Sequence, residues 1–123
     1  MHKMFIKPLS VNRKYCIKKV KKKSGDVVQR IGDTPVFAAY CEELYYRLPV
    51  LKFPNKKAKY GLIVKFGFSN VDADIDNPVK PLQDQIQKKY KINDAQIYHL
   101  YVEKCIVPKG QEFIEFDLVE LKE

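Results

Sequence analysis

The sequence predicts an α+β fold in two layers: a mostly antiparallel four-stranded sheet with two helices packed on one face. Three observations carry this. Two stretches repeat apolar residues at three- and four-residue steps, and each opens on a proline that follows a short polar residue. Three further stretches, about 60–68, 96–107 and 112–121, have the composition and bounding turns of strands. The 123 residues, 46% of them hydrophobic, suffice for one core and leave no room for a second. The expectation is therefore one domain over residues 1–123.

Taken in order, Phe5-Ile6 and Tyr15-Cys16-Ile17 with Val20 suggest one or two short strands, separated by a loop at Pro8 and Ser10-Val11-Asn12. Lys18 to Gly25 reads as a charged turn or hairpin tip. Thr34 is a good N-cap and Pro35 a good first helical residue. From there Phe37, Tyr40, Cys41, Leu44 and Leu48 form one stripe, with Glu42, Glu43 and Arg47 opposite, so a helix is predicted over about 34–48. Its aromatic stripe is expected to face the core rather than to stack on bases.

Tyr60, Leu62, Val64, Phe66 and Phe68 alternate with Gly61, Ile63, Lys65 and Gly67, which makes 60–68 the clearest strand. The glycines leave its second face thin, either for close strand packing or for approach of another backbone. Asp76 or Asn77 is the expected N-cap of a second helix over about 78–90, with Pro78 at its first position. Val79, Leu82, Ile86 and Tyr90 would be its buried stripe. Lys80 and Asp84 stand four residues apart on another face, as a surface ion pair or with Lys80 turned into the acidic site. A loop at Ile92-Asn93-Asp94, a strand over about 96–107, a turn at Pro108-Lys109-Gly110 and a strand over about 112–121 complete the chain, the last two strands being expected as an antiparallel hairpin.

Composition narrows the function. A net charge of +8 and nine Lys/Arg with no acid in residues 1–23 favour a nucleic-acid partner. Further basic groups stand at Lys52, Lys56, Lys57 and Lys59, and at Lys88, Lys89 and Lys91. Asn12, Arg13, Lys14, Lys18, Lys19, Lys56 and Lys57 are the expected backbone contacts to nucleic acid. No apolar run approaches the ~20 residues of a membrane span, and no signal-peptide core is present, so a soluble intracellular protein is expected. Cys16, Cys41 and Cys105 show no C-x-x-C or zinc-type spacing and read as small core residues of a reducing compartment.

Against this basic background, four aspartates fall within the 13 residues from Asp72 to Asp84. Clustered carboxylates repel one another, which a bound cation relieves. An EF-hand reading fails, because Asn77 stands where glycine is needed and Gln83 where a bidentate glutamate is needed. Helix capping accounts for Asp76 and for Asp74, but not for Asp72 or for the acid in the next loop, Asp94. A metal site uses them: Mg²⁺ prefers carboxylate oxygen, water and substrate phosphate. Asp74 and Asp76 would supply two ligands from the strand-to-helix loop, Asp94 a third, and Lys80 a point charge for a phosphate oxygen.

The residues Asp74-Ile75-Asp76-Asn77-Pro78-Val79-Lys80, Asp84 four residues on, and Ile92-Asn93-Asp94-Ala95-Gln96-Ile97 resemble the signature of the RusA family of Holliday-junction resolvases. Pro8-Leu9-Ser10-Val11-Asn12 is similar to that family's N-terminal segment. The resemblance implies a RusA-like fold and a homodimer with one active site per subunit. It also implies Mg²⁺- or Mn²⁺-dependent resolution of four-way DNA junctions by paired nicks in recombination and repair. By position it implies Asp74, Asp76 and Asp94 as metal-binding catalytic residues and Lys80 as the catalytic lysine, in a bacterial cytoplasm and in a gene of host, phage or prophage origin. Asn93 departs from the family's pair of acids at this loop. The alternatives are a non-catalytic nucleic-acid-binding protein that has kept the fold, and a phage protein that binds an acidic protein partner through its Lys-rich arm.

Overall fold

A computed structural model describes residues 1–9, 15–21, 27–53 and 57–122. The elements are β1 (His2–Met4), β2 (Tyr15–Lys21), β3 (Val27–Asp33), α1 (Pro35–Arg47), β4 (Lys59–Phe68), α2 (Val79–Tyr90), a 3₁₀ turn (Asp94–Gln96), β5 (Ile97–Ile106) and β6 (Phe113–Leu121). The fold is α+β, with one four-stranded sheet in the order β1-β6-β4-β5 and a separate antiparallel pair, β2-β3.

Strand β4 is central, paired with β5 along one edge and with β6 along the other. Tyr60, Leu62, Val64 and Phe66 are completely buried. They pack with Tyr40, Leu44 and Leu48 of α1, Leu82, Ile86 and Tyr90 of α2, and Ile114, Phe116 and Leu118 of β6. Both helices thus lie on one face, as their periodicity predicts. Thr34 caps α1 by accepting a hydrogen bond from the Phe37 amide at 3.1 Å. The predicted aromatic stripe is in the core: Phe37 and Tyr40 are buried.

On the other face of β4 the glycines serve strand packing. A Cβ on Gly67 would lie 2.4 Å from the Phe113 ring of β6, and one on Gly61 would meet Leu121, Val119 and His99 at 3.4 to 3.6 Å. Of the two readings of the thin face, close packing is the one that holds. Lys3 of β1 lies 4.2 Å over the same Phe113 ring.

The sheet corrects the expected topology. It is mixed rather than mostly antiparallel: β6 is antiparallel to β1 and β4, but β5 runs parallel to β4. The expected β5–β6 hairpin does not form, because β4 lies between those two strands. The reason is α2. A helix between two strands carries the chain back along the sheet, so the next strand enters in parallel. The six residues 107–112 then step across the end of β4. Two strand spacings are roughly 10 Å, which a connection of that length spans easily.

Three smaller expectations also change. The first strand is His2–Met4, before Phe5. Lys18 to Lys21 continue strand β2, and the unpredicted β3 pairs with it, Lys18 opposite Arg30. Neither Asp76 nor Asn77 caps α2; Pro78 occupies the N-cap position with no side-chain bond. Among the described residues no helix is long and apolar enough to cross a membrane.

Candidate active site

The acidic stretch leaves the C-terminal end of β4 and leads into α2. Its shape is set mostly by backbone and amide groups. Asn70 Oδ1 accepts from the Asp72 amide at 2.9 Å, and the Ala73 amide donates to the Asn70 carbonyl at 3.2 Å. Lys104 of β5 clamps it from the side: its Nζ donates to the carbonyls of Val71 at 2.8 Å and Ala73 at 2.5 Å. Lys104 was not among the residues that the sequence singled out. It was legible there as the charged position in an apolar alternation, Val102-Lys104-Ile106, whose neighbour across the strands is Phe66.

Asp74 and Asp76 are both exposed. Asp74 Oδ2 accepts one hydrogen bond, from Asn77 Nδ2 at 3.0 Å. The Asp76 carboxylate has no partner among the described residues, although its backbone carbonyl accepts from the Val79 amide at 3.1 Å. Among the described residues no cation neutralises this pair. Lys80, the nearest lysine in sequence, is turned along α2 and held between Asp84 at 2.9 Å and Asp94 at 3.1 Å. Those two carboxylates, Asp84 first, raise the Lys80 pKa, so it remains a cation.

Asp94 opens the 3₁₀ turn before β5. Asn93 and Gln96 build that turn: Asn93 Oδ1 accepts from the Ala95 amide at 3.0 Å, and Gln96 Oε1 accepts from the Asn93 amide at 2.9 Å. Asn93, the departure from the family pattern, is therefore a capping residue that positions Asp94. Gln96 also donates to the Ala58 carbonyl at 3.0 Å, which fastens the turn to the start of β4. With its amide turned to donate, Gln87 reaches Asp94 Oδ1 at 2.9 Å, a neighbour for which nothing in the sequence pattern argued.

The site residues thus fall into two groups. Lys80, Asp84, Gln87 and Asp94 are in contact; Asp74 and Asp76 stand in the loop before α2. The parallel crossover separates them, since the loop follows the end of β4 at Phe68, whereas Asp94 precedes Ile97, which pairs with Tyr60 at the start of β4. Among the described residues no three acidic, His or Cys side chains gather into a metal-holding group. Asn12, Arg13, Lys14 and Lys56 lie outside the described residues. Lys18 and Lys19 lie on β2, and Lys57 is exposed just before β4.

A cavity of about 630 Å³ opens beside Asp74 and Asn77, walled by Leu9, Val36, Tyr40 and Phe68 and reaching Glu112. The Tyr40 hydroxyl is buried with no hydrogen-bond partner among the described residues; burial raises its pKa, and the Leu9 backbone lies beside it without closing a bond. Glu112 accepts from Ser69 Oγ at 2.9 Å and from the Gly110 amide at 2.7 Å. Together with its own backbone amide, the largest influence, these bonds lower its pKa.

As a donor set, Asp74 and Asp76 fit Mg²⁺ or Mn²⁺. They are hard carboxylate oxygens, open to water and uncompensated among the described residues, and Mg²⁺ is usually held by one or two carboxylates with water and substrate phosphate filling the remaining positions. Asp94, held by Lys80, is not gathered with them among the described residues. Comparison of the chain with protein-family models and with curated proteins finds no match in either.

Proposed function

We propose that this chain is a metal-dependent, structure-selective endonuclease that resolves four-way DNA junctions, working as a homodimer with one site per subunit, as the RusA resemblance implies. The observation that best supports the reading is the pair Asp74 and Asp76, uncompensated among the described residues of a strongly basic chain, next to a lysine held between two other carboxylates. Asp74 and Asp76 would hold Mg²⁺ or Mn²⁺, which when bound supplies Lewis-acid stabilisation of charge on the scissile phosphate.

The chain's own groups do the rest. Lys80 exchanges one of its carboxylates for a non-bridging phosphate oxygen and so stabilises developing negative charge. Water attacks phosphorus in line; its oxygen forms the new P–O bond while the bond to the 3′ oxygen breaks. The 3′ oxygen gains a proton, giving 5′-phosphate and 3′-hydroxyl ends. Basic residues on either side hold the DNA backbone, and their contribution weakens with salt.

One observation favours a second reading, a nucleic-acid-binding protein without catalysis: no three acids are gathered among the described residues. Both readings predict salt-sensitive binding, so affinity does not separate them. Incubation of the purified protein with a synthetic four-way junction and Mg²⁺ or Mn²⁺ does. Paired nicks across the junction are expected. Binding without a nick in either metal would leave the binding-protein reading.

A further inference from the structure

We infer that two copies of this chain join through β5, paired antiparallel with β5 of the second copy about a two-fold axis at Tyr101. This deepens the two-subunit reading above, but it is argued from the strand edge alone.

Strand β5 has ten residues and, among the described residues, one neighbouring strand, β4. The Val107 amide donates to the Phe68 carbonyl, so by strand periodicity the odd residues of this strand turn their backbone groups toward β4. Leu100, Val102 and Lys104 then present theirs at the open edge. A row of unpaired donors and acceptors invites another strand, and protein edges are usually guarded by proline, short length, bulges or outward lysines. From His99 onward β5 has none of these: the one bulge in its pairing lies before it, at Tyr60/Gly61. Its lysine, Lys104, is occupied with the Val71 and Ala73 carbonyls. Large apolar side chains are instead exposed along it: Tyr98 and Tyr101 each 61%, Leu100 49% and Ile106 48%.

The strand is complementary to itself in one register. With Tyr101 opposite Tyr101 of the second copy, Leu100 meets Val102 as a hydrogen-bonded pair, and His99 meets Glu103. Glu103 reaches only 4.0 Å from Lys65 within its own chain and is half exposed, so it has capacity for another partner. Sliding the register by two residues either way puts Glu103 against Tyr101 or Ile97 and loses that polar match. Pairing merges two four-stranded sheets into one of eight strands. It also rigidifies the strand whose Lys104 holds the acidic loop, which ties the dimer to the candidate site.

Tyr101 sits at a non-hydrogen-bonded pair, where facing Cα atoms are about 4.5 Å apart and within disulfide reach. The test measures mass in solution by light scattering on the full chain without DNA, for wild type, Tyr101→Cys, Tyr98→Cys and Leu100→Pro. Wild type is expected at twice 14.4 kDa. Mild oxidation is expected to convert most of Tyr101→Cys into a covalent dimer, while Tyr98→Cys and wild type, which carry the native thiols, stay largely uncrosslinked. Leu100→Pro removes an outward amide that no described residue of the chain uses; it is expected to keep the wild-type circular dichroism and to run as a monomer. A wild-type monomer at micromolar concentration overturns the inference. So does a dimer that survives Leu100→Pro and leaves Tyr101→Cys uncrosslinked. A dimer that crosslinks at Tyr101 but never nicks a junction would instead remove the nuclease reading and leave this interface standing.

Discussion

Among the described residues the exposed Asp76 carboxylate has no partner, and Asp74 has only a neutral amide. Removing one of these charges therefore costs little stability and relieves repulsion toward phosphate. Asp76→Asn is expected to melt within about 0.5 kcal/mol of wild type, to bind junction DNA at least as tightly, and to nick it hundreds of times more slowly or not at all. Nicking at the wild-type rate in a single-turnover assay would take Asp76 out of the site. Lys80 is a different case, since two carboxylates hold it. It is 59% exposed, so solvent screens both pairs and Lys80→Ala should cost no more than about 1 kcal/mol. The lost point charge should slow cleavage much more than it lowers the melting temperature. If thermal melts shift and single-turnover rates do not, Lys80 is a surface ion-pair residue.

At the scale of elements, the strands meet through contacts with little slack. Gly67 lies directly under Phe113, where an added Cβ would sit 2.4 Å from the ring. Gly67→Ala should displace that ring and destabilise the β4–β6 pair by about 1–3 kcal/mol, read from urea unfolding. Glu112 ties the end of β4 to the turn before β6 through Ser69 and Gly110. Its pKa is lowered on folding, so its contribution is present above the ordinary glutamate value of about 4.3 and is lost as pH falls through the lower folded value. Melting curves of wild type and Glu112→Gln should accordingly differ at pH 7 and converge in acid below that range. A gap that stays constant with pH would assign the Glu112 effect to something other than its charge.

For the whole molecule, net charge and the acidic loop act in opposite directions: +8 overall favours DNA, while Asp74 and Asp76 repel phosphate until a cation intervenes. A cation that binds only the folded chain raises its stability by mass action, by about 2.7 kcal/mol at one hundred times its dissociation constant. Added Mg²⁺ should therefore raise the melting temperature of wild type and leave that of the Asp74→Asn/Asp76→Asn double variant unmoved. Equal shifts in both would mean that the ion acts elsewhere.

The sequence by itself determined both helices, the long strand β4 and their inner faces. Thr34-Pro35 opens α1, and the stripe from Phe37 to Leu48 faces the core; Tyr60 to Phe68 alternates as the structure does; Val79, Leu82, Ile86 and Tyr90 are buried. Those are local properties, fixed by periodicity and capping within a few residues. Which strands become neighbours is not local. Pro108-Lys109-Gly110 looks like a hairpin turn from within, yet β4 takes the place beside β6, because a long, doubly flanked apolar strand buries most at the centre of a sheet. The same choice, a parallel crossover through α2, put Asp94 beside Lys80, Asp84 and Gln87 and left Asp74 and Asp76 in the loop before the helix. The spacing of the acids was written in the chain; their distribution in space was decided by where a helix returned it to the sheet.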